Sequence, residues 1–216
     1  MILALAFALH ADAAAASVAD LQAALASPAG WAPVTTTTER GVGPITVRHK
    51  PAAGVDCLEG AVDTQASLDR LLATARDIDG SARWSSFKLP YSKALTRASS
   101  FDYLQVLDNP SPVDDRYWLL RGTATQSADA ARFTWVDIPE DAQPAAIAEV
   151  RARFPSAVPS GRNVGGWIFE RTASGTRVRY QICSEAGGNI PAWVGKLAAQ
   201  KALPTTMADL ILQASQ

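Results

Sequence analysis

Residues 164–193 read VGGWIFERTASGTRVRYQICSEAGGNIPAW, and the architecture follows from how this stretch changes along its length. Its segments 166–171 and 176–182 are rich in β-branched and aromatic residues and are separated by turn residues, which predicts two antiparallel strands. Trp167 and Phe169 alternate on the first, Tyr180 and Ile182 on the second, so each strand turns its large apolar side chains to one face. Beyond them the period changes. Asn189, Ile190 and Pro191 supply a cap and a first-turn proline, and Val194, Leu197, Met207, Leu210 and Ile211 stay nearly in phase across Pro204. A sheet therefore hands over to a long C-terminal helix, kinked where Pro204 removes a backbone hydrogen bond.

Upstream, the same alternation recurs: Tyr103 with Leu107 in 101–107, Trp118 with Leu120 in 117–125, and Phe133 with Trp135 in 132–138. The β-branched runs 31–39 and 45–50 form a hairpin across a Gly-Val-Gly-Pro turn, and a third strand runs through 55–58. Val18, Leu21 and Leu25 mark a short N-terminal helix stopped by Pro28 and Gly30. Leu68, Leu71, Leu72 and Ala75 mark an amphipathic helix with Thr64 or Ser67 as its N-cap and Gly80 as its stop. The segment 139–155, bracketed by Pro139, Pro144 and Pro155, interrupts the sheet with a helix over 146–154. The fold class is α+β: a curved antiparallel sheet with one apolar face, closed by an amphipathic helix. Such a sheet either fills its concavity with side chains or leaves a tunnel for an apolar ligand, and periodicity does not separate the two.

Composition narrows the function. The chain has 216 residues with 48% hydrophobic and 19% charged, which suits one folded domain over 17–216. Lys plus Arg number 20 against 21 acidic residues, interspersed, so there is no basic stripe to collect nucleic-acid phosphates and no polybasic cluster to hold anionic lipid. Any membrane contact must be apolar. The opening MILALAFALHADAAAAS has an apolar run from Ile2 to Leu9 followed by Ala-x-Ala patterns, which reads as a signal peptide over 1–16, although its start lacks Lys or Arg. The location expected is periplasmic or secreted. Cys57 and Cys183, an even count behind an export signal, are expected to form a disulfide; two buried thiols that never meet are the alternative.

Catalytic chemistry finds few groups to work with. Beyond the export segment the chain holds a single histidine, His49, which reads as an exposed strand residue, and there is no Gly-x-Ser-x-Gly elbow. Two cysteines and one histidine at no metal-like spacing do not make a zinc site, and neither a phosphate-binding loop nor a dinucleotide fingerprint occurs. No cofactor or metal is expected.

Two blocks carry a family resemblance. Leu107-Asp108-Asn109-Pro110-Ser111-Pro112-Val113-Asp114-Asp115-Arg116-Tyr117-Trp118 resembles the START (StAR-related lipid transfer) stretch in which a strand ends in a Pro-x-Pro turn and an Arg-Asp pair opens the next; Tyr117 stands in place of the aspartate. The second block is similar to the family's Gly-Trp strand (Gly166-Trp167), its Thr-x-Val-x-Tyr strand (Thr176 to Tyr180), and its Gly-Gly-x-Ile-Pro-x-Trp lead into the last helix (Gly187 to Trp193). Trp84 also falls where the family has a tryptophan, and the order of elements agrees over 17–216.

The resemblance implies a helix-grip fold (START and Bet v 1-like), with the sheet wrapped around the C-terminal helix and an internal hydrophobic tunnel. It implies a monomeric bacterial carrier of one lipid-like molecule, in transient contact with membranes, and no enzyme activity. The rival readings are a helix-grip cyclase or hydrolase and a ligand-free interaction module. The apolar strand residues above, with Trp193 and the stripe Val194, Leu197, Met207, Leu210 and Ile211, are expected to line the tunnel. The carboxylate–arginine pair that anchors ligands in several animal members falls on Tyr103 and Gly122 here, and Arg121 points outward, so Tyr103, Gln105 and Tyr180 are left to meet the ligand's polar end. The segment 139–155, with the C-terminal helix, is expected to gate the mouth.

Overall fold

The computed structural model describes residues 17–187, 190 and 192–216, and for Ala192 and Trp193 the backbone alone. The expected signal peptide and the helix-opening residues Asn189 and Pro191 lie outside the described residues. Helix α1 (Val18–Ala26) opens with a capping box between Ser17 and Asp20, and strands β1 (Ala32–Glu39), β2 (Gly43–Ala52) and β3 (Val55–Thr64) follow. Helix α2 (Leu68–Arg76) is capped by the Ser67 hydroxyl, and a short helix α3 (Ser81–Trp84) comes next. Strands β4 (Tyr91–Ala94), β5 (Ser100–Leu107), β6 (Arg116–Gln126) and β7 (Ala130–Asp137) then form a meander. A single 3-10 turn (Glu140–Ala142), helix α4 (Pro144–Arg153) and the short β8 (Val158–Pro159) lead to β9 (Asn163–Thr172) and β10 (Gly175–Ser184). Helix α5 (Ala192–Ala214) closes the chain and runs through Pro204.

The strands form one sheet in the order β1-β2-β3-β10-β9-β7-β6-β5-β4, antiparallel throughout except that β8 pairs parallel to β6. The chain's two halves thus join where β10 returns beside β3, and there Cys57 and Cys183 stand opposite each other and are bridged. The sequence reading missed α3, β4 and β8, and Gly80 does not stop α2: it precedes α3 as its N-cap residue.

Period-two alternation divides the side chains between two faces. The inner face carries Phe101, Tyr103, Leu120, Phe133, Trp135, Trp167, Phe169 and Val178, which pack with α2 and the α5 residues Leu203, Met207, Leu210 and Ile211 into the main core. On the outer face α1 covers the disulfide, with Leu21, Val55 and Val164 around it. Lys50 fixes the end of that helix by donating to the carbonyls of Ala24, Ser27 and Ala29, and its burial lowers the ammonium pKa.

Helix α4 corrects the expectation of a gate at 139–155. Its buried residues Ile147 and Val150 pack against Tyr91, Leu104, Val106, Tyr117 and Leu119, all on the outer face of β4, β5 and β6. Gln143 ties its start to Asp102, which also pairs with Arg121 on that face. The segment therefore braces the back of the sheet, and α5 with α2 covers the front.

Candidate ligand-binding site

Large rings at every second position of neighbouring strands come into contact because strands lie close enough for opposed side chains to touch. Phe101 stacks on Phe133 at 5.7 Å, Phe133 meets Trp135 at 6.1 Å, Trp135 meets Tyr180 at 5.8 Å, and Tyr180 meets Trp167 at 4.3 Å between ring centroids. Tyr103 joins at 6.2 Å from Phe133. The train of rings needs room beside it, and Gly122 provides it: a Cβ there would lie 2.6 Å from the Phe133 ring. The inner wall of the concavity is thus a continuous aromatic surface.

Burial grades along this wall. Phe169, Met207, Leu210 and Ile211 are sealed from solvent, whereas Trp118, Tyr180 and Ile182 are half-buried. Leu107 and Val194 are half-buried as well and stand outside the main core cluster. The accessible apolar surface of the interior therefore lies at the end of the sheet where α5 begins.

Leu197 departs from the expectation that it faces inward: it is 48% exposed. The buried stripe Leu203, Met207, Leu210 and Ala214 explains why, because at 100° per residue a position six before Leu203 lies about 120° off that stripe. Lys196, seven before, falls within about 20° of it. Lys196 accordingly reaches the inner face and pairs with Asp56 at 2.9 Å. The side chain of Trp193 lies outside the described residues.

Gln105 is also corrected. It faces inward, but its Nε2 donates to the Ser81 and Ser92 hydroxyls at 3.0 and 2.8 Å while its Oε1 accepts from Trp118 Nε1 at 3.1 Å. Its hydrogen-bonding capacity goes to holding α3, β4 and β6 together, leaving little for a ligand. Trp135 Nε1 is likewise taken by Asn163 Oδ1 at 2.8 Å.

The chain's four tyrosines divide by face. Tyr91 and Tyr117, on the outer face, donate to Glu149 and Glu140. Tyr103 and Tyr180, inside, have no hydrogen-bond partner for their hydroxyls among the described residues. Burial pushes both phenols above their usual pKa, and the field of Tyr180 adds to the shift at Tyr103. Both stay neutral at physiological pH and present O–H donors together with lone pairs.

Charge is confined to the rim of this interior. Arg116, 6% exposed, is oriented by the carbonyls of Asp114, Asp115, Ala186 and Gly187, so it clamps the loop before β6 to the lead into α5. Arg162 pairs with Asp137 at 3.0 Å. His49 is not an exposed strand residue as read from sequence: it shares the inner face with Leu58, its side chain is 29% exposed, and Nδ1 stands 3.9 Å from Asp56. No cluster of metal-ligating side chains occurs among the described residues, and no described helix is long and apolar enough to cross a membrane.

No protein-family model matches the chain. An uncharacterized protein of Pseudomonas aeruginosa is 29% identical over 140 residues, a match that spans 62% of this chain and 63% of that protein. Among solved structures, a STAR-related lipid transfer protein fragment from Xanthomonas axonopodis superposes with a TM-score of 0.71 at 22% identity, over 87% of this chain and 99% of that one. Human StAR-related lipid transfer protein 5 gives 0.70 at 13% identity, over 92% and 93%. An aromatase/cyclase from Streptomyces sp. R1128 gives 0.51 at 11% identity, over 74% and 94%. The large antiparallel sheet closed by its C-terminal helix is thus the helix-grip fold of the STAR-related lipid transfer domains.

Proposed function

We propose that this chain binds one hydrophobic, lipid-like molecule between α5 and the aromatic wall, and carries it between membranes or partners outside the cytoplasm. The observation that carries the reading is the wall itself: a continuous apolar and aromatic surface on the inner face of the sheet, with Trp118, Tyr180 and Ile182 half-buried. Apolar concavities with few polar groups are the usual form of lipid-sized sites. The bridged Cys57–Cys183 pair suits an oxidising compartment, in agreement with the export signal read from the sequence.

A carrier fits the lining better than a catalyst. The wall offers phenols, indoles and hydrocarbon, while the ionisable side chains sit in pairs at the rim. Membrane contact fits the same end of the molecule. Val113 and Leu197 are exposed apolar residues at 37% and 48%, and Arg116 ties the base of the Val113 loop to the lead into α5. The test is lipid extraction and mass spectrometry of the protein purified from its native host. A stoichiometric hydrophobic molecule is expected; protein that carries none and takes up none from vesicles would defeat the proposal.

A further inference from the structure

We infer that Phe101 sets how long a chain the protein accepts: the hydrocarbon end of the bound molecule reaches this ring and goes no further. The inference rests on the ligand-carrying role proposed above and names the residue that selects chain length. Strand β5 turns alternate residues to the inner face, with Leu107 at the end where α5 begins and Phe101 at the other. Six residue steps of about 3.3 Å separate them, so a chain lying along the wall from the α5 end meets Phe101 after about 20 Å. The ring is fixed in that position. It is 5% exposed, lies within 15° of parallel to Phe133, and has its centroid 5.9 Å from that of Tyr103.

The same ring has a second neighbour, a surface cleft of about 420 Å³ between the end of α2 and the β4–β5 connection, which it helps to line. Phe101 thus belongs both to the core and to the cleft, and stands between them. Its neighbours on the sheet are small: Gly122 lies directly opposite on β6, and Ala124 follows on the same face. In the cleft the other apolar side chains are alanines, Ala94 of β4 among them. Closure of this end of the wall therefore falls to the Phe101 ring. The exposed Arg76 and Arg97 also line the cleft, so carbons pushed past the ring would leave apolar contact for charge and water and gain nothing. A smaller side chain at 101 opens the space of the ring, and the alanines behind it shelter more of the chain.

The test uses the whole chain, stripped of endogenous lipid, with diphenylhexatriene as reporter and straight-chain primary alcohols of increasing length, delivered from cyclodextrin, as competitors. The readout is the affinity of a variant divided by that of the parent at each length, so that transfer of the chain out of cyclodextrin cancels. For Phe101→Ala this ratio is expected to stay level along the shorter alcohols and then to climb about tenfold over the next pair of carbons. Phe101→Leu, which keeps more of the core contact, should climb about three- to fourfold at the same length, and it decides the matter if the alanine variant does not fold. If diphenylhexatriene and the alcohols bind but the ratio stays level throughout for each folded variant, Phe101 is not the stop and the carrier reading stands. If neither diphenylhexatriene nor any alcohol enters the parent, the carrier reading falls and this inference with it.

Discussion

Met207 lies directly over Gly60, so close that a Cβ on the glycine would come within 2.2 Å of Met207 Sδ and 2.4 Å of Leu203 Cδ2. The missing side chain sets how deeply α5 seats in the sheet, at the strand that also carries Cys57. Gly60→Ala is therefore expected to lift the helix and cost about 1–3 kcal/mol of unfolding free energy. Pairing it with Met207→Ala should recover part of that loss, because the second change removes one of the two atoms in the way. Urea unfolding of both variants checks this; a neutral Gly60→Ala would mean that α5 is not seated here.

The disulfide joins residues directly opposite each other on β3 and β10, both fully buried beneath α1. Its closed loop spans 126 residues, and replacing both cysteines with alanine is expected to cost about 2–5 kcal/mol. Alkylation without prior reduction, read by mass, should label neither thiol of the oxidised protein. Labelling of both would remove the bridge from the account.

How far the sequence carried this depends on which contacts are local. Alternation at Trp167 and Phe169 or Phe133 and Trp135 is set within one strand, and it assigned these residues to the correct inner face. The disulfide was expected from an even cysteine count behind an export signal; that Cys57 and Cys183 are cross-strand neighbours depends on β10 returning beside β3, which no local pattern encodes. Helix α4 shows the limit. It buries only Ile147 and Val150, and its docking partners Leu104, Val106, Tyr117 and Leu119 give β5 and β6 an apolar outer face as well as an apolar inner one. Periodicity there fits either side. Gln105 was misread for a related reason: Ser81 and Ser92, which satisfy it, come from segments 24 and 13 residues away.

Acid should weaken the brace on the back of the sheet. The hydrogen bonds from Arg121, with help from Gln143, hold the Asp102 carboxyl below its ordinary pKa against the opposing effect of burial. A carboxylate whose folded pKa is depressed contributes stability above its unfolded value of about 4, and that contribution is lost as pH falls through the folded pKa. Asp102→Asn should thus be less stable than the parent at pH 7, by about 1 kcal/mol, and the gap should close below about pH 4. Melting curves from pH 3 to 7 measure it; a gap independent of pH would show that the ion pair is not its source.

The two halves of α5 should respond differently to charge. Leu210 is fully buried, so Leu210→Asp places an unpaired carboxylate in the core and should cost several kcal/mol, about 3 or more. Leu197 is 48% exposed, and Leu197→Asp should change stability by no more than about 0.5 kcal/mol while reducing binding to lipid vesicles. Equal destabilisation by the two substitutions would contradict the helical register described above.

The same division of α5 says where a ligand enters. Its second half is held by Met207, Leu210 and Ile211 in the core and by Asp209, which accepts from the backbone N–H and hydroxyl of Ser86 at 2.7 Å each. The first half has Lys196 on Asp56, a pair about one-third exposed on both sides and worth at most about 1 kcal/mol. Pro204 stands between the halves and offers no backbone N–H to the helix. Local opening starts where buried apolar contacts are fewest, so the first half is expected to swing outward when ligand passes. Lys196→Glu, which sets two acids against each other, should speed release of a fluorescent lipid several-fold with little change in melting temperature. Adding Asp56→Lys to that variant restores an attractive pair and should slow release again. Stopped-flow release from the three proteins separates the possibilities: equal rates in all of them would place the entrance elsewhere on the molecule.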